Sequence, residues 1–284
     1  MLRRPRMRVR VRVQPMHFSF NRMIPNILTL LALCAGMTGI RLAIVGKFET
    51  AVAAIIVAGI LDGLDGRIAR LLKGTSSFGA QLDSLSDFVS FGVAPAVMLY
   101  IWTMEQFHGF GWAVVLIFAV CCGLRLARFN TQLGQELPPY AYNFFTGVPA
   151  PAGAGLVMVP MFAAFEFGDT FFRTPTFNTL VILAVSGLMV SRVPTFALKR
   201  FHVRSEWVLP TLLGVGALAA FLTTEPWATL LIIGVIYIGS FPFSIRHYRK
   251  LKRTADDMRA ATLRVASEAG AGAQAPPAAE SSRH

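Results

Sequence analysis

The stretch that decides the fold is residues 58–92, AGILDGLDGRIARLLKGTSSFGAQLDSLSDFVSFG, where acidic residues interrupt an apolar sequence. Its four aspartates are Asp62, Asp65, Asp83 and Asp87. A single aspartate at the centre of a membrane-spanning helix costs about 3 kcal/mol. Four of them in one short stretch therefore require a compensating partner, which makes this stretch the candidate site.

The spacing of the aspartates indicates what that partner is. The members of each pair are three or four residues apart, so each pair shares one face of a helix. Between the pairs, residues 73–77 (KGTSS) are typical of a helix end followed by a new helix, with Thr75 or Ser76 as N-cap. Two antiparallel helices would bring the carboxylates together. Their mutual repulsion predicts a bound divalent cation, and hard oxygen ligands favour Mg²⁺ or Mn²⁺ over zinc.

The composition places this segment in a membrane protein. Of the 284 residues, 54% are hydrophobic and 15% are charged, with a mean hydropathy of +0.55. The apolar runs reach about 18–20 residues, the length that crosses about 30 Å of hydrocarbon. We predict an all-α, polytopic transmembrane helix bundle with about eight spans. The predicted spans are residues 27–45, 49–70, 88–103, 111–129, 147–166, 179–197, 207–222 and 227–245.

The net charge of +12 is distributed as membrane topology requires, not as nucleic-acid binding requires. Basic residues precede the first apolar run and follow the last, which is typical of cytoplasmic termini. No basic soluble domain remains to bind nucleic acid. Asp62 lies eight residues before Arg70, about 12 Å along a helix, so the site is expected in the inner half of the bilayer, open to the cytoplasm.

The chain divides into three regions. Residues 1–22 form a basic cytoplasmic arm, and residues 23–246 form the transmembrane domain that contains the aspartates. Residues 247–284 form a cytoplasmic tail that is first basic and then, after Arg264, rich in alanine, glycine, proline and serine. That composition predicts disorder at the end of the chain.

Residues 62–87 resemble the motif of the CDP-alcohol phosphatidyltransferase family, D-x2-D-G-x2-A-R-x8-G-x3-D-x3-D. All eight fixed positions are matched, over 26 residues, by Asp62, Asp65, Gly66, Ala69, Arg70, Gly79, Asp83 and Asp87. Further segments resemble the bacterial phosphatidylserine synthases of that family, so the likeness covers about residues 22–160. These segments are residues 24–36, 82–96, 123–130 and 145–155.

The resemblance implies a chemistry. Asp62, Asp65 and Asp83 would be the main ligands of two divalent ions, Mg²⁺ or Mn²⁺. Asp87 would be the general base and would also contact a metal ion. The CDP-lipid pocket would be lined by Gly66, Ala69, Arg70 and Gly79. The implied reaction converts CDP-diacylglycerol and L-serine to phosphatidylserine and CMP, in a homodimer in the bacterial cytoplasmic membrane.

Four residues outside the motif have two interpretations each. Asn26 and Thr29 would bind the nucleotide or phosphate, or cap the helix after Pro25. Arg125 and Arg128 lie three residues apart near the inner end of the fourth span. One or both would bind the serine carboxylate or the lipid phosphate, or both would extend to lipid headgroups.

Two other functions compete with this one. Another alcohol, choline above all, would keep the chemistry and give a phosphatidylcholine synthase. Choline favours an aromatic cage, whereas the arginine pair favours serine. A divalent-metal transporter would use the same carboxylates, but the C-terminal half has no second aspartate cluster. A transporter also leaves the glycine, alanine and arginine positions of the motif unexplained.

Overall fold

The computed structural model describes residues 20–72, 76–132, 144–196 and 207–272. Most of the predicted N-terminal arm therefore lies outside the described residues, as does much of the predicted break at residues 73–77. The elements are α1 (Phe20–Ile44), α2 (Phe48–Leu71), α3 (Ser77–Asp87), a π-helical turn (Phe88–Val93), α4 (Ala94–Trp102), a 3₁₀ turn (Met104–Phe107), α5 (His108–Gln132), β1 (Phe144–Thr146), α6 (Ala150–Val157), α7 (Val159–Phe167), α8 (Asp169–Phe172), α9 (Pro175–Val190), β2 (Pro194–Phe196), α10 (Val208–Thr224) and α11 (Pro226–Gly272).

The fold is an all-α helix bundle, and each of the eight predicted spans overlaps one helix or two consecutive helices. Within the described residues, five helical segments are long and apolar enough to cross a membrane: Met23–Ile44, Ser77–Trp102, Met104–Thr131, Ala150–Phe167 and Pro226–Leu251. Two apolar helices, α9 and α10, are shorter. The lengths support an integral membrane protein, while the count of eight spans and the cytoplasmic position of both termini stay predictions.

The first two helices form a tight antiparallel hairpin. Gly46 allows the turn because its φ of +75° lies in the left-handed region. Close packing continues along the pair, since a Cβ on Gly39 would lie 3.2 Å from the Ala51 carbonyl oxygen. This pairing brings the C-terminal half of α2, with its aspartates, against the first turns of α1.

Residues 77–102 form one helical rod with a π-helical turn in its middle. The rod begins at Ser76, whose Oγ accepts a hydrogen bond of 3.0 Å from the Gly79 N–H. The backbone N–H of Ala94 donates to the Val89 carbonyl, an i→i−5 bond. The inserted residue shifts the side-chain register immediately after Asp87. Such π turns occur often at functional sites.

The predicted fifth and sixth spans differ from the structure at their ends. The fifth begins at Ala150 and is divided after Val157, and Pro160 lies at the start of α7. The sixth was predicted to reach residue 197, but α9 ends at Val190 and Pro194 begins a strand that pairs with β1. Proline cannot donate the helical hydrogen bond, which explains both corrections.

The last helix extends beyond the predicted transmembrane domain. It continues to Gly272, so residues 265–272 are helical although their composition predicts disorder. Residues 273–284 lie outside the described part of the chain. The remaining prediction for the tail is therefore not tested by the structure.

The core lies among α4, α5, α7 and α9. Its largest fully buried side chains include Trp102, Phe118, Met98, Met161 and Met189. In contrast, α10 buries no residue, although it is apolar throughout. An exposed apolar helix is what a lipid-facing position requires.

Candidate active site

Three carboxylates from two helices converge on one point. Asp62 of α2 and Asp83 and Asp87 of α3 each offer one oxygen, and these oxygens all lie within 4.8 Å of one another. The spacing predicts that α2 and the next helix bring their carboxylates together, and these three carboxylates do lie together. Three carboxylates so close repel one another unless a cation or protons compensate them. Oxygen-only donors of this kind suit Mg²⁺ or Mn²⁺.

Asp87 gives a second observation that fits a cation. Its Oδ1 is buried and has no hydrogen-bond partner among the described residues. A buried polar atom left without a partner costs about 1–3 kcal/mol. The cluster of Asp62, Asp83 and Asp87 could therefore bind a metal ion that supplies the missing partner.

Asp65 stands apart from the cluster, although the family resemblance implies it as a main ligand. Its side chain is 4% exposed, and its Oδ2 accepts a hydrogen bond of 2.6 Å from the Thr29 hydroxyl. Thr29 Oγ1 also lies 3.1 Å from the Pro25 carbonyl oxygen. The structure thus joins α1 to α2 through Thr29 and Asp65, and it places Asp87 with the two other clustered carboxylates.

A cavity of about 330 Å³ adjoins the carboxylates. This volume is within the range of about 300–1,000 Å³ that is usual for ligand pockets. Its lining includes all six residues predicted for the CDP-lipid: Asn26, Thr29, Gly66, Ala69, Arg70 and Gly79. Asp65, Asp83 and Asn130 also line it. The motif's glycine, alanine and arginine positions therefore share one cavity with two of its aspartates.

The two glycines of this cavity have different surroundings. A Cβ on Gly79 would lie 3.0 Å from Asn26 Oδ1 and 3.1 Å from Ser76 Oγ, so close packing favours glycine there. A Cβ on Gly66 would meet only the Arg70 guanidinium, at 4.0 Å. Gly66 therefore leaves open space, which suits the close approach of a ligand to the α2 backbone.

The two arginines of α5 have different surroundings. Arg128 donates a hydrogen bond of 2.7 Å to the carbonyl oxygen of Val190, the last residue of α9. A cation at the C-terminal carbonyls of a helix stabilises that end. Arg128 is thus engaged in holding α9, whereas a role in the acceptor or phosphate site was predicted for one or both arginines.

Arg125 lies in the site. Its electrostatic partners are Asp87, Tyr237 and Asp62, and its guanidinium carbon is 5.9 Å from the ring centre of Phe129. No ion pair within 4.0 Å engages it among the described residues. Arg125 therefore remains available to an anionic ligand beside Asp87.

Sequence reasoning missed two parts of the site. Asn130 donates a hydrogen bond of 2.9 Å to Ser84 Oγ, which joins α5 to α3 next to the cavity. Tyr237 of α11 presents a buried hydroxyl near Arg125. No local pattern connects Tyr237 with the motif, because the chain distance is large and the tyrosine stands in an ordinary apolar span.

Two family models match the chain. The model of the CDP-alcohol phosphatidyltransferases matches residues 22–191, which include every aspartate of the site and both α5 arginines. A model described as CDP-alcohol phosphatidyltransferase 2 matches residues 206–242, which include α10 and Tyr237.

Curated relatives cover most of the chain. A Mycobacterium leprae protein named CDP-diacylglycerol–serine O-phosphatidyltransferase is 38% identical over 252 residues, 88% of this chain and 81% of that protein. The protein of the same name from Mycobacterium tuberculosis H37Rv is 38% identical over 229 residues, 80% of each chain. An archaetidylserine synthase from Methanothermobacter thermautotrophicus is 33% identical over 172 residues, 60% of this chain and 68% of that protein.

Proposed function

Because the chain belongs to the CDP-alcohol phosphatidyltransferase family, we propose that it transfers the phosphatidyl group from CDP-diacylglycerol to L-serine, giving phosphatidylserine and CMP. The observation that carries this proposal is the convergence of Asp62, Asp83 and Asp87 beside a cavity lined by the rest of the motif. The names of the mycobacterial relatives support serine as the acceptor.

The clustered carboxylates would hold a divalent cation, Mg²⁺ or Mn²⁺. Asp62, Asp83 and Asp87 are the ligands that the geometry favours. Asp65 lies outside that group but interacts electrostatically with Asp62, and it would be a ligand of a second ion. When bound, the metal neutralises negative charge on the pyrophosphate and on the departing CMP.

The cavity beside the carboxylates would take the CDP portion of the lipid. The exposed Arg70 suits a bidentate pair with a phosphate. Gly66 leaves room for that phosphate along α2, and Asn26 offers an amide to the nucleotide. Together these residues orient the phosphorus towards the carboxylates, which supplies part of the proximity effect.

The acceptor would bind next to Asp87, on the side that faces Arg125 and away from the CDP cavity. There the Asp87 carboxylate removes the proton from the serine hydroxyl as the oxygen attacks the phosphorus that bears diacylglycerol. The new oxygen–phosphorus bond forms while the bond to CMP breaks. Arg125 pairs with the serine carboxylate and holds the hydroxyl next to Asp87.

The basic residues at both ends of the sequence support a position in the bacterial cytoplasmic membrane, with both termini and the active site facing the cytoplasm. The same distribution supports eight spans, an even number. A homodimer is proposed from the family resemblance alone.

The experiment is CMP release from the purified full-length protein in detergent micelles. CDP-diacylglycerol and Mn²⁺ or Mg²⁺ are supplied with serine, choline, glycerol 3-phosphate or inositol phosphate in separate reactions. We expect release with serine alone, and none after EDTA or in the Asp87→Asn variant.

Each other result of that assay has a definite meaning. Release with choline instead of serine would retain the chemistry and change the acceptor. No release with any alcohol, from folded protein with metal present, would contradict the transferase. Metal uptake into proteoliposomes would then test the transporter.

A further inference from the structure

Tyr237 ends in a buried hydroxyl that has no hydrogen-bond partner among the described residues. A buried tyrosine usually finds a partner for its O–H group, because leaving that group unpaired costs free energy. The phenol lies on α11, a helix whose other positions in this region are mostly exposed. An unpaired hydroxyl on the inner face of such a helix points to a ligand.

Two side chains lie close to this hydroxyl, those of Arg125 and Thr195. The Arg125 guanidinium lies near it, and a guanidinium can only donate. The Thr195 hydroxyl also lies beside it, but outside the distance and angles of a hydrogen bond, and it donates to the Gly147 carbonyl oxygen at 2.9 Å. Arg125 and Tyr237 therefore present two sets of donors to the same space, and a carboxylate with two oxygens satisfies both.

The position of Tyr237 is fixed by its neighbours on α11. Its ring packs edge-on against Phe241, with ring centres 5.1 Å apart. One turn further on, Ser244 donates a hydrogen bond of 2.7 Å to the carbonyl oxygen of Pro194, which ties α11 to β2. The packing against Phe241 and the hydrogen bond of Ser244 thus hold the Tyr237 side chain in place. The Tyr237 hydroxyl needs no hydrogen-bond partner of its own for orientation.

The ring of Tyr237 also borders an apolar cavity of about 270 Å³. Gly59 and Phe91, each about one turn from an aspartate of the cluster, line the same cavity. Tyr237 consequently stands at a boundary, with its ring towards apolar space and its hydroxyl towards Arg125. A polar acceptor beside Asp87 would be bounded by this residue.

We propose that the Tyr237 hydroxyl donates a hydrogen bond to the carboxylate of the amino-acid acceptor that Arg125 pairs with. This inference rests on the proposed function. It makes Tyr237 a specificity-determining residue for acceptors with a carboxylate next to the nucleophilic alcohol. The residue belongs to the separately matched segment 206–242, so that segment contributes directly to acceptor choice.

The test is the Tyr237→Phe variant, which removes one oxygen and keeps the ring. We expect the KM for L-serine to rise about tenfold, since a hydrogen bond to a charged group is lost. The KM for CDP-diacylglycerol should stay unchanged. Tyr100→Phe is the matched control, because Tyr100 also packs edge-on against an aromatic ring, that of Trp112 at 5.1 Å, outside the site.

L-alanine separates binding from chemistry, because it carries the carboxylate and lacks the hydroxyl. We expect it to compete with serine, and its inhibition constant should rise in Tyr237→Phe by the same factor as the serine KM. Inhibition by ethanolamine, which has no carboxylate, should be equal in the wild type and the variant.

Three results would overturn the inference. The first is an unchanged serine KM in an active Tyr237→Phe enzyme, which leaves the proposed function intact. The second is an equal rise in both KM values, which indicates a structural role. The third is a wild-type enzyme that releases no CMP with serine, which removes the proposed function as well. If Tyr237→Phe is inactive, the test is instead the rise in thermal unfolding temperature that L-alanine causes in the folded protein. An equal rise in the variant and the wild type would contradict the proposal.

Discussion

The two sides of the site differ in charge and in the way they are held. The acidic side consists of Asp62, Asp65, Asp83 and Asp87 on α2 and α3. The basic side is named for Arg125 on α5 and also includes two neutral hydroxyl groups, those of Thr195 on β2 and Tyr237 on α11. The acidic side comes from one 26-residue segment, whereas the basic side is assembled from three distant elements. Acidic groups gather a cation and phosphates, and donors beside them select the alcohol that reaches the phosphorus.

Removing the carboxylate nearest the basic side should have the largest effect. Asp87→Asn keeps the shape of the side chain and removes the proton acceptor. A general base contributes about 10²–10⁴-fold to a rate, so we expect kcat for CMP release to fall by that factor. Asp169→Asn is the control, because Asp169 pairs with Arg173 at 3.1 Å outside the site. An Asp87→Asn enzyme with wild-type kcat would contradict the assignment of Asp87 as the general base.

Metal binding should depend on the acidic side alone. A ligand that binds only the folded state stabilises it by about 2.7 kcal/mol at 100 times its Kd. We therefore expect Mn²⁺ to raise the thermal unfolding temperature of the wild type in detergent. Asp83→Asn should reduce that rise, and Arg125→Ala should retain it. An equal rise in wild type and Asp83→Asn would contradict the metal site.

The α5 arginines test the basic side, because only one of them lies in the site. Arg125→Ala should raise the KM for serine by about tenfold or more, since a charged hydrogen bond is worth about 1.5–3 kcal/mol. Arg128→Ala should leave that KM unchanged and lower thermal stability, because the Val190 carbonyl loses its partner. Serine titrations and thermal unfolding of both variants measure this contrast. An unchanged serine KM in both would contradict the assignment of Arg125.

The acidic side comes from one segment of the chain and the basic side from three, and this difference explains which parts of the site the sequence could predict. Helical periodicity fixes which side chains share a face, so the pairing of aspartates across α2 and α3 follows from residues 58–92. The sequence also narrows the N-cap to Thr75 or Ser76, since capping is local, and the structure shows that it is Ser76. The family motif adds the residues around the cavity, and the structure places all of them there.

The basic side could not be predicted in the same way. Whether Arg125 or Arg128 enters the site depends on where α9 ends, and that end is set by Pro194 and its strand pairing far along the chain. The role of Tyr237 depends on the docking of α11 onto β2 through Ser244. These are tertiary contacts, and no local spacing encodes them. The π turn after Asp87 is likewise fixed by packing and not by a recognisable local pattern.

The smallest effect is expected where the acidic side meets α1. Thr29 and Thr38 lie on the same helix, and each hydroxyl lies near the carbonyl four residues earlier, at 3.1 and 2.7 Å. Only Thr29 also contacts an aspartate, Asp65 at 2.6 Å. Thr29→Val should therefore lower kcat/KM for CDP-diacylglycerol by about two- to fivefold, because Asp65 loses one partner but can gain water from the cavity it lines.

Thr38→Val is the matched control and should leave kcat/KM for CDP-diacylglycerol unchanged. Steady-state CMP release at saturating serine measures both variants. Equal values for Thr29→Val and wild type would mean that Asp65 is held by the fold of α2 alone, and the acidic side would then be independent of α1. A loss as large as that of Asp87→Asn would instead mean that the position of Asp65 controls the whole carboxylate cluster. The intermediate result requires both that Thr29 orients Asp65 and that Asp65 lies outside the group of three.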